Sequence, residues 1–358
     1  MGHEDEQHDR PLDRQLRVDR HSLISLPLPA RPRAGGRAGR GDRRVELTLG
    51  TLAVAVLAMI AAMLVTVFVR AWPSFSHNGL AWFGSGGDVD TQLRAMQQAQ
   101  PLPGHSIYYF RAWPLLWGTA LTTGLAVAIA LVISTLAAVF ITEFAPPGVR
   151  RILDPIVRLL AGVPSVVYGL IGILAIAPYL NEHLISQHRK ASVGYVVQLN
   201  GNNLMTATLI LTVMILPIMV AISANAIGAV PASWREGSMA LGVNRWRTIW
   251  RVSLRTARPA IIAATILATA RALGEAVMLA MVAGGRGFAA NPLDGITFLF
   301  EPVRPLAATI LQNSEGLTIA PVMHTVYAIG AVLLVSAGML SLAGWAAKHQ
   351  LDRYGIRL

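Results

Sequence analysis

Apolar residues in this chain gather in long uncharged blocks; they neither alternate nor recur along a single helical face. The first block runs from Leu47 to Val69, the second lies between Arg111 and Glu143, the third between Arg158 and Glu182, and the fourth has its apolar core from Leu204 to Val230. A fifth, Pro259 to Ala283, is interrupted only by Arg271 and Glu275, and a sixth lies between Glu315 and Lys348. About 20 apolar residues in a helix cross a bilayer core roughly 30 Å thick. The pattern therefore predicts an all-α polytopic membrane protein with six transmembrane helices, near 47–69, 113–142, 159–180, 204–230, 259–283 and 318–347. Together they form one membrane domain over 47–347.

Composition agrees: 54% of residues are hydrophobic and 14% charged, against about 25% charged in an average soluble domain. The chain has 0 Cys, which excludes disulfides, thiolate metal sites and cysteine nucleophiles together. The net charge of +11 does not imply nucleic acid, because the basic residues flank apolar blocks and form no stripe with interleaved aromatics. Their contacts are expected to be with membrane lipids.

Positive residues in short loops stay on the cytoplasmic side. Of the 30 Lys and Arg, the loops at one face hold only Arg70, Arg94, Arg111, Arg189, Lys190, Arg286 and Arg304, and Arg271 alone falls within a span. All the others lie in the termini and in the loops at the opposite face. Both termini and the loop at 231–258 are thus expected inside, in a multi-pass protein of the bacterial plasma (inner) membrane.

Residues 1–46 mix 10 Arg with 8 acidic residues and several Gly and Pro without an apolar face, which predicts a disordered cytoplasmic tail. Residues 348–358 form a short cytoplasmic tail. The outer loop near 72–112 contains a Gly-rich and Gln-rich insertion over about 84–110, expected to be partly ordered.

The loop between the fourth and fifth spans carries the most information. Ser233 followed three residues later by Glu236 has the spacing of a capping box, Gly242 can take the left-handed conformation that ends a helix, and Asn244 can cap the next. This predicts a helix, a turn and a helix. Trp246, Ile249, Trp250 and Ser253 recur at helical spacing among Arg245, Arg247, Arg251 and Arg255, an amphipathic pattern that suits a membrane surface.

On these residues the loop resembles the signature of ABC-importer permeases, E-A-A, three residues, G, nine residues, I-x-L-P. Glu236, Gly237 and Ser238 stand at the E-A-A positions, Gly242 at the glycine, and Val252 and Leu254 at the I and L positions. The alanines are replaced by Gly and Ser, and the final proline by Arg255. The resemblance implies a type I importer permease fold and a coupling helix that docks into a separate ATPase, with Glu236, Gly237, Ser238, Gly242 and Asn244 as the ATPase-coupling residues. The only lysines, Lys190 and Lys348, follow Arg and Ala, so the Gly-Lys-Ser/Thr end of a phosphate-binding loop is missing. No cofactor is expected on this chain; ATP-Mg belongs to the ATPase.

Arg271 and Glu275 are four residues apart and share a face of a continuous helix. Arg271 lies about 18 Å into the fifth span at 1.5 Å per residue, where an unpaired charge costs at least about 2.5–3.5 kcal/mol. The pair therefore faces the bundle or a wet path, either as an ion pair locking the packing or as a counter-charge and its positioner for an anionic substrate. A guanidinium fork suits phosphate oxygens. Pro164 is expected to kink the third span, with Ser165 available to a freed carbonyl and Tyr168 beside them. These five residues are the candidates for the substrate path.

Two segments carry a narrower resemblance. R-A-L-G-E-A-V-M-L-A-M from Arg271 and G-V-P-S-V-V-Y-G-L-I-G from Gly162 resemble the fifth- and third-span motifs of the PstC permeases of phosphate-specific ABC importers. Met278, Leu279 and Ala280 differ from the Gly-Glu-Thr-Ala-Pro version of the sister permeases. The similarity covers roughly 113–357. It implies a path for inorganic phosphate, a sister permease (PstA-like), an ATPase dimer (PstB-like) and an external phosphate-binding protein (PstS-like).

Another oxyanion as substrate, or a gradient-driven secondary transporter, are the alternatives, the latter disfavoured by the coupling loop and the lack of inverted repeats. No H-E-x-x-H or similar metal spacing occurs. No nucleophile stands beside a base, so catalytic and metal-binding residues are expected to be absent.

Overall fold

The computed structural model describes residues 40–194 and 198–353. Most of the expected N-terminal tail (1–39) and the last residues of the C-terminal one (354–358) lie outside them. What is described of both tails is helical. The chain divides into two compact units, Met1–Ala61 and Ala62–Leu358.

Helix α1 (Arg40–Asn78) begins seven residues before the expected first span, at Arg40 instead of Leu47. Over 45–61 every one of its side chains is exposed. A helix that is apolar all round and uncovered by its own chain suits a lipid-facing span.

In the second unit, a short 3-10 turn (Gly79–Phe83) leads to α2 (Val89–Gln97), which Asp88 starts by accepting from Asp90 N and Thr91 N. Next comes α3 (Trp113–Val139), closed by a π-helical turn, Phe140–Phe144. An amphipathic helix, α4 (Pro147–Ala161), precedes α5 (Ser165–Ile171), the π-turn Gly172–Ile176, α6 (Ala177–His183) and α7 (Gln187–Val193). Then follow α8 (Leu204–Gly228), α9 (Ala232–Ala240), α10 (Arg245–Thr248) and, after the π-turn Ile249–Ser253, α11 (Leu254–Leu273). The last are α12 (Val277–Val282), α13 (Leu306–Gln312) and α14 (Ala320–Arg353).

Among the described residues 5 helices are long and apolar enough to cross a membrane: Val45–Phe83, Trp113–Phe144, Ser165–His183, Leu204–Gly228 and Ala320–Ala346. The expected fifth span, 259–283, is not one helix. α11 ends at Leu273 and α12 begins at Val277. Gly274 is a poor helix former, and the Glu275 carboxylate accepts from Met278 N at 3.1 Å, so the sequence itself supplies a stop and a new start.

The third span also starts later than the expected 159, because Pro164 is the extended N-cap of α5 (φ −60°, ψ 141°) and ends no helix from within. The residue before a proline is pushed away from helical geometry, which separates α4 from α5 at Val163.

The core of this unit lies where α3, α8 and α11 meet. Ala126 and Ala130 of α3 and Ala268 and Ala272 of α11 are buried with Leu211, Met214, Ile215 and Met219 of α8. Small residues let membrane helices approach closely. Thr122 and Thr212 are buried there with their hydroxyls bonded back to Gly118 O (2.8 Å) and Thr208 O (2.7 Å), so neither of these two hydroxyl hydrogens is stranded.

The outer loop is folded, not partly ordered. Trp82, Val89, Leu93, Met96 and Phe110 are buried with Leu115, Leu306, Val322 and Ile329. Asn78 Oδ1 accepts from Phe110 N (3.1 Å) and Arg111 Nη1 (3.0 Å), and Gln92 Oε1 accepts from Arg111 N (2.8 Å). Arg304 pairs with Asp90. These buried contacts tie the insertion to the adjoining ends of α1, α3 and α14.

Candidate functional site

The loop between α8 and α11 folds as a helix, a tight turn and a second helix. Its first helix is not started by Ser233, however. α9 begins one residue earlier, with Pro231 as an extended N-cap, and no side-chain capping bond forms. Proline holds the φ that an N-cap needs without presenting an N–H, which leaves Ser233 and Glu236 exposed in the first turns. Gly237 is exposed beside them.

The turn itself is as expected. Gly242 has φ +79°, its N–H donates to Met239 O (2.9 Å), and Val243 N donates to Ser238 O (3.3 Å). These two bonds close a Schellman motif. Asn244 Oδ1 then accepts from Arg247 N (2.8 Å) to start α10, and Ser238 is hydrogen-bonded to Thr248 across the turn at 3.0 Å.

The outward face of this hairpin is apolar. Leu241 is 85% exposed, with Trp234, Met239 and Trp246 also exposed. Glu236 is exposed on the same helix, and exposed apolar residues of this kind commonly mark interaction surfaces. Sequence reasoning passed over Leu241 and Met239, although an apolar residue directly before a helix-ending glycine is a visible signal.

It also passed over Glu143, used only to mark the end of an apolar block. The Glu143 side chain is 9% exposed and accepts from Arg235 Nη1 at 3.0 Å and from Ser253 Oγ at 3.1 Å. Its backbone carbonyl accepts from Arg245, whose guanidinium also lies over the Phe144 ring, 4.7 Å from its centre. Glu143, at the end of the α3 segment, thus holds α9 and the root of α11 through its carboxylate and α10 through its backbone carbonyl. A cavity of about 380 Å³ opens beside it, lined by Arg235, Glu236, Met239 and Arg245.

The two narrower motifs meet. α5 and its π-turn pack against α12 through Gly169 and Gly172. A Cβ on Gly169 would come within 2.7 Å of Met281 Sδ and 3.3 Å of Met278 Cα, and one on Gly172 within 2.6 Å of Val282 Cγ1. A larger residue at either position would force Met281 or Val282 to shift. Tyr168 is buried next to them and donates to Leu160 O at 2.9 Å, which fixes α5 to the end of α4.

Arg271, in the last turn of α11, is exposed. The ion pair with Glu275, one of the two readings of this segment, does not form: among the described residues Arg271 has no acidic partner, and Glu275 is engaged at Met278 N. The break at Gly274 carries the carboxylate off the helical register that would have aligned the two. Pro164 is exposed and Ser165 half-buried, and Ser165 makes no bond to a freed carbonyl, since Pro164 lies between helices.

Comparison with known proteins places these features in context. Residues 130–348 match the family described as binding-protein-dependent transport system inner membrane component. The chain is 32% identical to the probable ABC transporter permease protein YqgH of Bacillus subtilis over 85% of this chain and 92% of that one. It is 29% identical to the phosphate transport system permease protein PstC 1 of Mycobacterium tuberculosis, over 89% and 96%. It is also 29% identical to the probable phosphate transport system permease protein PstC of Methanocaldococcus jannaschii, over 81% and 88%.

Proposed function

Because this chain belongs to the family of binding-protein-dependent transport system inner membrane components, we propose that it forms part of the membrane path of an ATP-driven importer of inorganic phosphate. One observation carries the choice of path. Arg271 sits where α11 breaks, exposed and, among the described residues, without an acidic partner, next to the contact of α5 with α12. A guanidinium within a membrane segment needs a counter-charge or water, and its planar fork matches phosphate oxygens. Several relatives named as phosphate permeases support the substrate.

In this proposal Arg271 binds the anion, and Tyr168, Ser165 and Pro164 border the path. Glu275 shapes the break by holding Met278 N. The exposed face of α9 with Glu236, Gly237 and Leu241 seats in an ATPase subunit that binds ATP-Mg, and Gly242 and Asn244 fix its angle. A sister permease supplies the other half of the path, two ATPase copies the work, and an external phosphate-binding protein the substrate. The loop at 231–258 and both termini face the cytoplasm, as the distribution of Lys and Arg requires.

The deciding experiment is uptake of labelled phosphate, with sulfate and molybdate as competitors, in cells whose own phosphate permease is replaced by this chain. Phosphate uptake resistant to both competitors supports the assignment. Uptake blocked by either would move the substrate to another oxyanion.

A further inference from the structure

A groove of about 900 Å³ runs along α11 and opens to the outside of the chain, and Arg271 does not line it. Its walls are Leu131 and Thr135 of α3 and Leu254, Ile261, Ile262, Thr265 and Ile266 of α11, with Trp250 at the rim. Arg251, Arg255 and Arg258 line one end, and no acidic residue lines any part of it. Among the described residues none of the three arginines has an ion-pair partner. Arg255 also stands where the importer signature places proline.

Three unpaired guanidinium groups on one side of a helix repel each other, and the groove offers them no counter-charge. A ligand with an anionic head supplies one. Beyond the arginines the groove is apolar, and from Arg258 to Ile266 it follows α11 for about 12 Å at 1.5 Å per residue. That is close to the roughly 15 Å of one leaflet, half of a ~30 Å core. Trp250, half-exposed beside Arg251, has the amphipathic ring that settles at the headgroup level of a bilayer.

From this arrangement we infer that the groove is a binding site for an anionic phospholipid. The phosphate-bearing headgroup lies on Arg251, Arg255 and Arg258, and one acyl chain runs along Leu131, Ile262 and Ile266. A basic pocket between membrane helices with an apolar floor selects such lipids over zwitterionic ones. Free phosphate would use the arginines and leave the apolar floor empty, whereas a lipid uses both. The site adjoins the root of the loop hairpin, so an occupied groove would also brace the π-turn Ile249–Ser253.

Native mass spectrometry of the full chain in detergent, with phosphatidylglycerol or phosphatidylcholine added, tests this. The wild type is expected to retain phosphatidylglycerol preferentially, and each Arg→Gln substitution at 251, 255 or 258 to lower that retention about five-fold. Arg94→Gln, on the exposed outer side, should leave it unchanged. Ile262→Trp fills the floor while keeping all three arginines, and should weaken lipid retention even if the triple arginine variant does not fold. The inference is overturned if the two lipids are retained alike or if the arginine variants bind as wild type does. It is equally overturned if Ile262→Trp has no effect while excess inorganic phosphate displaces the lipid, since the site would then be one for the free anion.

Discussion

The carboxylate of Glu143, at the end of the π-turn that closes α3, lies 3.0 Å from the guanidinium of Arg235 in α9. It is the one ion pair among the described residues that ties the loop hairpin to a membrane helix. If α9 docks as proposed, its motion would be delivered to α3, and through α3 to the core it shares with α8 and α11. Ser253 Oγ binds the same carboxylate at 3.1 Å, so the root of α11 moves with it.

Removing one partner of a nearly buried pair leaves an uncompensated charge, at about 3–5 kcal/mol. Glu143→Ala is therefore expected to lower the thermal stability of the purified chain and to abolish phosphate uptake. Glu143→Ala combined with Arg235→Ala should recover much of the stability but not the uptake, because the link from α9 to α3 is still missing. Thermal melts and uptake of the three variants check this. Full uptake in the double variant would show that the pair is only a packing contact.

Gly242 has φ +79° and nothing within 4 Å of an added Cβ, so a substitution there acts on backbone conformation alone. A β-branched residue is strongly disfavoured at positive φ, whereas asparagine tolerates it. Gly242→Val is expected to lose most uptake and most co-purifying ATPase while the chain still inserts. Gly242→Asn should keep both within about two-fold. Equal behaviour of the two variants would mean that the turn does not orient the docking face.

At Gly172 the limit is space. A Cβ would meet Val282 Cγ1 at 2.6 Å and Ile210 Cγ1 at 3.2 Å, and overpacking of a filled core typically costs about 1–3 kcal/mol. Gly172→Ala should lower the folded yield and the uptake, and Val282→Ala in the same chain should restore both. Gly124→Ala, with open space around it, should be silent. A fluorescence size-exclusion assay with uptake on the same preparations reads all three.

The orientation is tested by chemistry, since the chain has 0 Cys to interfere. Ser85 and Ser233 are both exposed. In intact cells a membrane-impermeant thiol reagent should label Ser85→Cys and leave Ser233→Cys unlabelled until the membrane is opened. The opposite pattern would invert the topology.

What the sequence revealed and concealed follows from the range of the forces involved. Long apolar blocks announce membrane helices because burial in lipid acts on every residue, so five of the spans were legible, as were the Gly242 turn and the Asn244 cap. The broken fifth span was not. Counting apolar residues from Pro259 to Ala283 passes over Gly274, whose conformational freedom costs about 1 kcal/mol in a helix, and cannot show that Glu275 turns to cap α12. α4 was hidden by a count of charges, although Val149, Ile152, Ile156, Leu159 and Leu160 already form an apolar stripe opposite Arg150, Arg151 and Arg158. Glu143 and Arg235 are 92 residues apart, and no local pattern connects them. The expected box at Ser233 failed because Pro231 offered a pre-set N-cap two residues earlier.

Arg271 and Glu275 do not pair, and this changes what their variants should do. Had they formed an ion pair, each single substitution would strand a charge and the double would relieve it. With Glu275 bound to Met278 N instead, Glu275→Gln keeps an acceptor oxygen at that N–H and should retain a substantial part of the uptake, whereas Glu275→Ala removes it and should lose more. Arg271→Lys keeps the charge without the fork, and Arg271→Gln keeps neither, so phosphate uptake should fall in both and further in the second. Protein level and ATPase association should stay near normal in each, because Arg271 is exposed and, among the described residues, bonded to nothing acidic. The double variant, Arg271→Gln with Glu275→Gln, should then be as inactive as Arg271→Gln alone. Recovery of uptake in that double variant would restore the ion pair as the working arrangement and remove Arg271 from the substrate path.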